Sequence, residues 1–268
     1  VHHALINVLE PIYERRFSGS SYACRVGKGT HAAIERAHWG IRNCRWFLKG
    51  DIAKFYPSVD HGVLKKVLFQ KVADSNVQWL ISLILESGKD VLADESPPQW
   101  FAGDELLTPL SRARGLPIGN LTSQFFANVL LNELDQCVHH EIRPREYVRY
   151  ADDFILFGND LEQIQGALPT IRAKLAALRL KCHEHKTCVR PCGQGVRFLG
   201  FRLLPWTRRV DKGAIGRFRR RMRRFAKLHR QGRMDFRRVT QSVQSWLAHV
   251  RFANTKCITS RVLNDVCF

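Results

Sequence analysis

The stretch YVRYADDFILF, from Tyr147 to Phe157, sets two adjacent carboxylates inside an apolar run. Burying even one unpaired carboxylate is costly. A fold that accepts this segment must therefore turn the chain at the acids or give the charges a partner. The apolar residues on either side read as strand, tight turn, strand, a hairpin with Asp152 and Asp153 at its tip. A turn that merely happens to carry Asp-Asp explains the stretch equally well by itself, so the rest of the chain has to decide.

A third acid stands in the same kind of context. Asp51 ends the apolar strand in FLKGDIAKFYPSVDH. If that strand pairs with the hairpin, Asp51, Asp152 and Asp153 converge on one sheet edge, where they repel and raise one another's pKa unless a divalent cation neutralises them. Hard oxygen ligands, with no His or Cys expected nearby, point to Mg²⁺. Two such ions suit an in-line phosphoryl displacement.

The remaining pattern is of mixed class. Helices are expected over residues 1–17, over His31 to Asn43 with Thr30 as N-cap, over Asp60 to Val72, Asp74 to Ser87, Thr122 to His140 and Leu161 to Leu178, and in the tail from Ala214 with a second helix over Val239 to His249. Strands are expected in RWFLKGDIAKFY, in the hairpin, in CHEHKTCV and in VRFLGFRLL, and residues 87–120 form a Pro/Gly-punctuated excursion. The order predicts an α+β fold, with helices on one face of a mainly antiparallel sheet.

Charge narrows the partners. Lys and Arg outnumber Asp and Glu by 43 to 24, a net +19, which favours a polyanion. From Trp206 to Arg238 there are twelve Arg and two Lys against two Asp, +12 of that excess. The apolar runs fall short of the roughly 20 residues of a membrane span, so no membrane partner is expected and the location read is cytoplasmic. Eight scattered cysteines read as free thiols. A zinc site built on Cys182, His183, His185, Cys188 and Cys192 competes for some of them, but strand alternation sends Cys182 and His183 to opposite faces.

Five ordered blocks carry a resemblance: FLKGDIAKFYPSVDH, GLPIGNLTSQFFANVLLNELD, YVRYADDFILF, LKCHEHKTCV and RFLGFRL. At these spacings they resemble the successive palm motifs of a reverse transcriptase. The resemblance implies a right-hand polymerase with partial fingers at 1–45, a palm at 46–205 interleaved with finger-side elements, and a basic helical thumb at 206–268. It implies that Asp51, Asp152 and Asp153, with the Ile52 carbonyl, hold two Mg²⁺ or Mn²⁺ ions, and that Lys186 protonates the leaving pyrophosphate. Tyr56 would close over the sugar beside Phe55 and exclude a ribose 2′-hydroxyl. Ile118, Gly119 and Gln124 would face the incoming nucleotide. Phe198, Leu199 and Gly200 would grip the primer end, and Arg217, Arg220, Arg221 and Arg224 would follow the duplex backbone. Substrates would be an RNA template, a cDNA or RNA primer and dNTPs.

In LPIGNLTSQ, Ile118 precedes Gly119 where most relatives carry Gln, and Gln124 follows Ser123. That block resembles the reverse transcriptases of diversity-generating retroelements, as do VHHALINVLEPIYERRFSGSSYACRVGKGTHAAI and SWLAHVRFANT. The subgroup implies error-prone copying of a structured template-repeat RNA, a small basic accessory protein, and a bacterial or phage-encoded origin. An intron maturase-like, retron or phage-defence enzyme and a catalytically silent RNA-binding fragment are the alternatives. The chain opens on Val1 within a helix, and the expectation is that fingers strands preceding it are missing. Arg25 and Lys28 are then the nearest basic candidates for template or triphosphate contact, with Arg112 and Arg114 just upstream of LPIGN.

Overall fold

The computed structural model describes residues 1–89, 91–253 and 262–263. Cys257, Cys267 and the last two residues of SWLAHVRFANT lie outside the described residues. The chain divides into two compact units, Val1–Ala33 with Trp46–Arg190, and Ile34–Arg45 with Pro191–Phe268. These bounds differ from divisions at 45/46 and 205/206. After α1 (His2–Glu14), helix α2 (Thr30–Asn43) starts in the first unit and continues into the second. Thr30 is the first residue of α2 rather than its cap, and its hydroxyl donates to the Tyr150 hydroxyl at 3.1 Å.

The first unit continues through β1 (Trp46–Asp51), α3 (Phe55–Ser58), α4 (His61–Phe69), α5 (Ser75–Ser87), α6 (Thr108–Ser111), α7 (Leu121–Cys137), β2 (Glu146–Tyr150), β3 (Asp153–Gly158), α8 (Leu161–Ala177) and β4 (Cys188–Pro191). Asp60, Asp74 and Asp160 cap α4, α5 and α8 by accepting first-turn N–H groups. The sheet order is β2-β3-β1-β4, with β3 antiparallel to both β1 and β2.

Strand alternation gives this sheet two different faces. Leu48, Tyr147, Phe154 and Leu156 enter one core with Leu64 of α4, Leu130 and Leu134 of α7, and Ile164, Ile171 and Leu175 of α8. Phe47, Lys49, Asp51, Asp153, Ile155 and Phe157 share the opposite face by register. Gly50 stands across from Phe154, and a Cβ there would overlap the Phe154 ring. The glycine therefore lets the aromatic lie flat on β1 one residue before Asp51.

Two segments depart from the pattern. In CHEHKTCV, Cys182 makes only an isolated bridge to Ile52, the Thr187 N–H and hydroxyl both return to the His183 carbonyl, and Glu184–Lys186 curl into a 3-10 turn. Only Cys188–Pro191 is strand. The excursion after Ser87 is tied down by charge: Arg112 and Arg179 both bridge Asp60 and Asp104. Those two guanidiniums hold the Asp104 carboxyl well below the usual carboxylate range.

The second unit holds a sheet of order β5-β6-β7, from β5 (Val196–Phe198), β6 (Phe201–Leu204) and β7 (Thr207–Val210), followed by α9 (Lys212–Arg230) and α10 (Phe236–Val250). In α9, Phe218, Met222 and Ala226 recur every four residues on one buried face. Trp246 of α10 stacks on Phe218 at 4.0 Å between centroids, with planes 12° apart.

Candidate active site

Register alone brings the acids together. Asp51 pairs opposite Asp153, and the β2–β3 hairpin closes through Ala151 and Asp152. Ala151 takes φ 52°, the sign that matches the twist of a two-residue hairpin turn. Asp51 and Asp153 lie on the sheet face opposite the one packed on α4, α7 and α8, and both stay partly exposed there while Phe47, Ile155 and Phe157 on the same face are buried.

Two lysines attend the acids. Lys186 Nζ donates to Asp51 Oδ1 at 2.9 Å, and Lys49 Nζ lies 3.2 Å from Asp153 Oδ2. Burial raises the Asp152 carboxyl, with Asp51 adding to the shift and Lys186 opposing it. Burial likewise pushes Asp153 up to about 6, with Lys49 opposing and Asp51 and Asp152 adding. Mutual repulsion acts in the direction expected from sequence, but desolvation is the larger cause.

Among the described residues, no three Asp, Glu, His or Cys side chains stand close enough together to hold a metal ion. The donor chemistry still suits a hard cation. Asp153 Oδ1 is buried without a hydrogen-bond partner, and the acids present only oxygen. The Ile52 N–H donates to the Asp152 carbonyl at 3.2 Å, while the Ala53 N–H reaches the Lys181 carbonyl and the His183 N–H the Asp51 carbonyl. Those bonds flank Ile52 and leave its own carbonyl unused by the bridge. They also correct one expectation: Cys182 and His183 are backbone neighbours of the acid strand.

Lys54, at φ 46°, turns the chain out of β1 into α3. Phe55 then enters the core at 3% exposure, and burial raises the hydroxyl of half-buried Tyr56, with Cys24 and Asp152 adding to the shift. The LPIGN segment is zipped to the same stretch. Leu116 N–H donates to the Tyr56 carbonyl, Gly115 N–H to that of Val59, and His61 N–H to that of Ala113. Ile118 follows at 67% exposure, Gly119 takes φ 101°, and Gln124 lies in the first turn of α7.

The loop cations are engaged internally. Arg25 binds both Glu14 oxygens and the Ser18 and Ser21 carbonyls, while Lys28 donates to the Gly19 carbonyl and sits over the Tyr22 ring. Arg112 is held by Asp60 and Asp104, and Arg114 donates to the Ser96 and Pro97 carbonyls. In the second unit, Phe198 is buried, Leu199 and Gly200 form the β5–β6 turn at φ 48° and 85°, and Arg217, Arg220, Arg221 and Arg224 are exposed on α9.

One group escaped the sequence reading. Arg149 is fully buried and clasps Asp135 with Nε–Oδ1 at 2.7 Å and Nη2–Oδ2 at 2.6 Å, while Tyr147 donates to Asp135 and Asn128 accepts from Arg149. Arg149 Nη1 also donates to the Ala151 carbonyl at 3.2 Å, at the start of the acid turn. The available signal was a lone Arg in YVRYADD and a lone Asp in an apolar helix.

The geometry agrees with the comparisons. A family model described as reverse transcriptase (RNA-dependent DNA polymerase) matches residues 1–203. Protein YkfC of Escherichia coli is 25% identical over 244 residues, covering 76% of this chain and 60% of that protein. The group II intron-encoded protein LtrA of Lactococcus lactis is 23% identical, covering 91% and 46%, and nuclear intron maturase 1 of Arabidopsis thaliana is 27% identical, covering 60% and 28%. Among solved structures, apo telomerase from Candida tropicalis aligns with a TM-score of 0.54 at 12% identity, over 81% of this chain and 42% of that one. Telomerase from Candida albicans, in complex with a fragment of telomeric RNA, aligns with a TM-score of 0.52 at 14% identity, over 100% and 47%. The α+β polymerase fold is thus shared, although the matched region spans 60% of YkfC and under half of the other relatives named. The chain belongs to the reverse transcriptase (RNA-dependent DNA polymerase) family.

Proposed function

We propose that this chain copies an RNA template into DNA, joining the primer 3′ oxygen to the α-phosphorus of a dNTP as the bond to pyrophosphate breaks. The observation that carries the reading is the register that sets Asp51 opposite Asp153, with Asp152 in the adjoining turn. Asp51, Asp152, Asp153 and the Ile52 carbonyl would hold two Mg²⁺ ions, or Mn²⁺ in their place. When bound, the ions supply charge neutralisation at the transferring phosphate and lower the pKa of the attacking hydroxyl. Tyr56 stacks over the sugar, and Lys186, held 2.9 Å from Asp51, gives a proton to the departing pyrophosphate. The β5–β6 turn and the α9 arginines bind the primer and the duplex backbone.

Primer extension on a generic RNA template with Mg²⁺ and dNTPs tests this directly. Asp152→Ala should abolish cDNA, whereas product equal to wild type would sink the reading.

The finer reading is mutagenic copying of a structured template-repeat RNA in a diversity-generating retroelement. A small basic accessory protein would assist it, in the cytoplasm of a bacterial host. Its support is the apolar, β-branched Ile118, exposed on the segment anchored to Tyr56, where a Gln would supply polar contacts. One lost contact of about 1–2 kcal/mol weakens discrimination roughly tenfold. Ile118→Gln should therefore lower misincorporation opposite template adenine, and an unchanged error spectrum in the sequenced cDNA would count against it. A role in intron splicing, which some relatives' names carry, rests on no feature of this site.

A further inference from the structure

A pocket of about 460 Å³ lies in the first unit between the end of α8 and residues 100–102. Its size falls within the range of small-ligand sites, roughly 300–1,000 Å³. Trp100 forms one wall at 50% exposure, and its indole N–H donates to the Leu106 carbonyl at 3.3 Å, which holds the ring in place. Leu180, 1% exposed, supplies an apolar floor. Ala176 leaves space on α8, and Arg172 stands one turn earlier on the same helix face.

The rim is cationic. Lys181 Nζ sits 5.2 Å from the Phe101 centroid and is solvent-exposed, as is Arg172. Neither makes an ion pair among the described residues. Glu184 shares the rim, one carboxylate against two cations. An exposed indole beside unpaired cations is the arrangement that binds single strands, the base stacking on the aromatic and the phosphate meeting the cations. A purely apolar occupant would leave Arg172 without a partner among the described residues.

We propose that this pocket takes one unpaired nucleotide of the template RNA, its base against Trp100 and its phosphate at Arg172 and Lys181. The proposal rests on the copying of RNA proposed above. The pocket also touches the acid strand through the backbone: the Ala53 N–H donates to the Lys181 carbonyl at 2.8 Å, and Cys182 bridges Ile52. A nucleotide held here lies one strand away from Asp51.

The experiment uses the full chain with a primer annealed to a template RNA carrying 4-thiouridine throughout its unpaired part. Crosslinked peptides are mapped after irradiation, and wild-type extension on the same template is read in parallel. The crosslink should map to the peptides bearing Trp100 or Arg172. It should fall about tenfold in Trp100→Ala and in Arg172→Ala, the scale of one lost base stack or its phosphate anchor. Ala176→Trp, which fills the pocket without deleting a contact, should give the same loss. A crosslink that maps elsewhere, or that all three variants leave unchanged, overturns the proposal. Extension without the crosslink removes the pocket and keeps the polymerase; the crosslink without extension does the reverse.

Discussion

Arg149 and Asp135 form a bidentate ion pair with neither side chain exposed to solvent, and the same guanidinium binds the Ala151 carbonyl at the turn that presents Asp152. Tyr147, Asn128 and Ser21 complete its hydrogen bonds. Nothing in this group is left unsatisfied by the pairing, so its removal leaves an uncompensated buried charge. Breaking a buried pair from one side costs about 3–5 kcal/mol. Asp135→Ala should lower stability by that amount in urea denaturation, and a loss within about 1 kcal/mol, the value of an exposed pair, would show that the charges find water instead. Arg149→Lys keeps the charge but not the fork. Its primer extension should fall more than its stability does.

The Gly50–Phe154 contact gives a sharper steric test. A methyl group at position 50 would overlap the Phe154 ring, which is fully buried on an inner pair of strands. Overpacking of this kind costs about 1–3 kcal/mol. Gly50→Ala should shift the urea midpoint accordingly. The same change in a Phe154→Leu background should cost much less, and equal costs in both backgrounds would mean that the ring is not the obstacle.

Much of this architecture can be read from the chain itself. The period-2 pattern around Asp51 and Asp152 and the helical pattern of 122–138 specify β1, the hairpin and α7, because each follows from local alternation. What could not be read depends on distant partners. A lone Arg149 in a strand carries no mark of Asp135 fourteen residues earlier, and Lys49 gives no sign that it will neutralise Asp153 across the sheet. CHEHKTCV looked extended, yet its single bridge to Ile52 could not hold it straight against the turn at His183. β7 escaped notice because TRRV on a sheet edge has almost no apolar alternation.

His61 makes stability depend on pH. It is buried, and its Nε2–H donates to the Gly115 carbonyl at 2.7 Å. Burial lowers its pKa, Lys65 lowers it further, and the Gly115 bond, Asp60 and Glu86 oppose without cancelling. A folded pKa below the unfolded value, about 6.5, gives stability that is complete above that value and lost as pH falls through the folded pKa. Urea midpoints at neutral and mildly acidic pH should converge between wild type and His61→Asn as pH drops. A constant gap would refute the assignment.

Helix α9 makes the charge argument quantitative. Asp211 caps it by accepting from the Gly213 N–H at 3.0 Å, and Phe218, Met222 and Ala226 fix its buried face. Arg217, Arg220, Arg221 and Arg224 follow at i, i+3, i+4 and i+7, all exposed. A row of cations so placed can track a phosphate backbone without reading sequence. Each phosphate contact contributes about 0.7–0.9 to the slope of log affinity against log salt. Arg220→Ala with Arg224→Ala should therefore reduce that slope by about 1.5 for an RNA–DNA hybrid and weaken binding uniformly across sequences. If affinity falls while the slope stays fixed, the arginines act through packing, as Arg221 does over the Phe218 ring, and the duplex lies elsewhere.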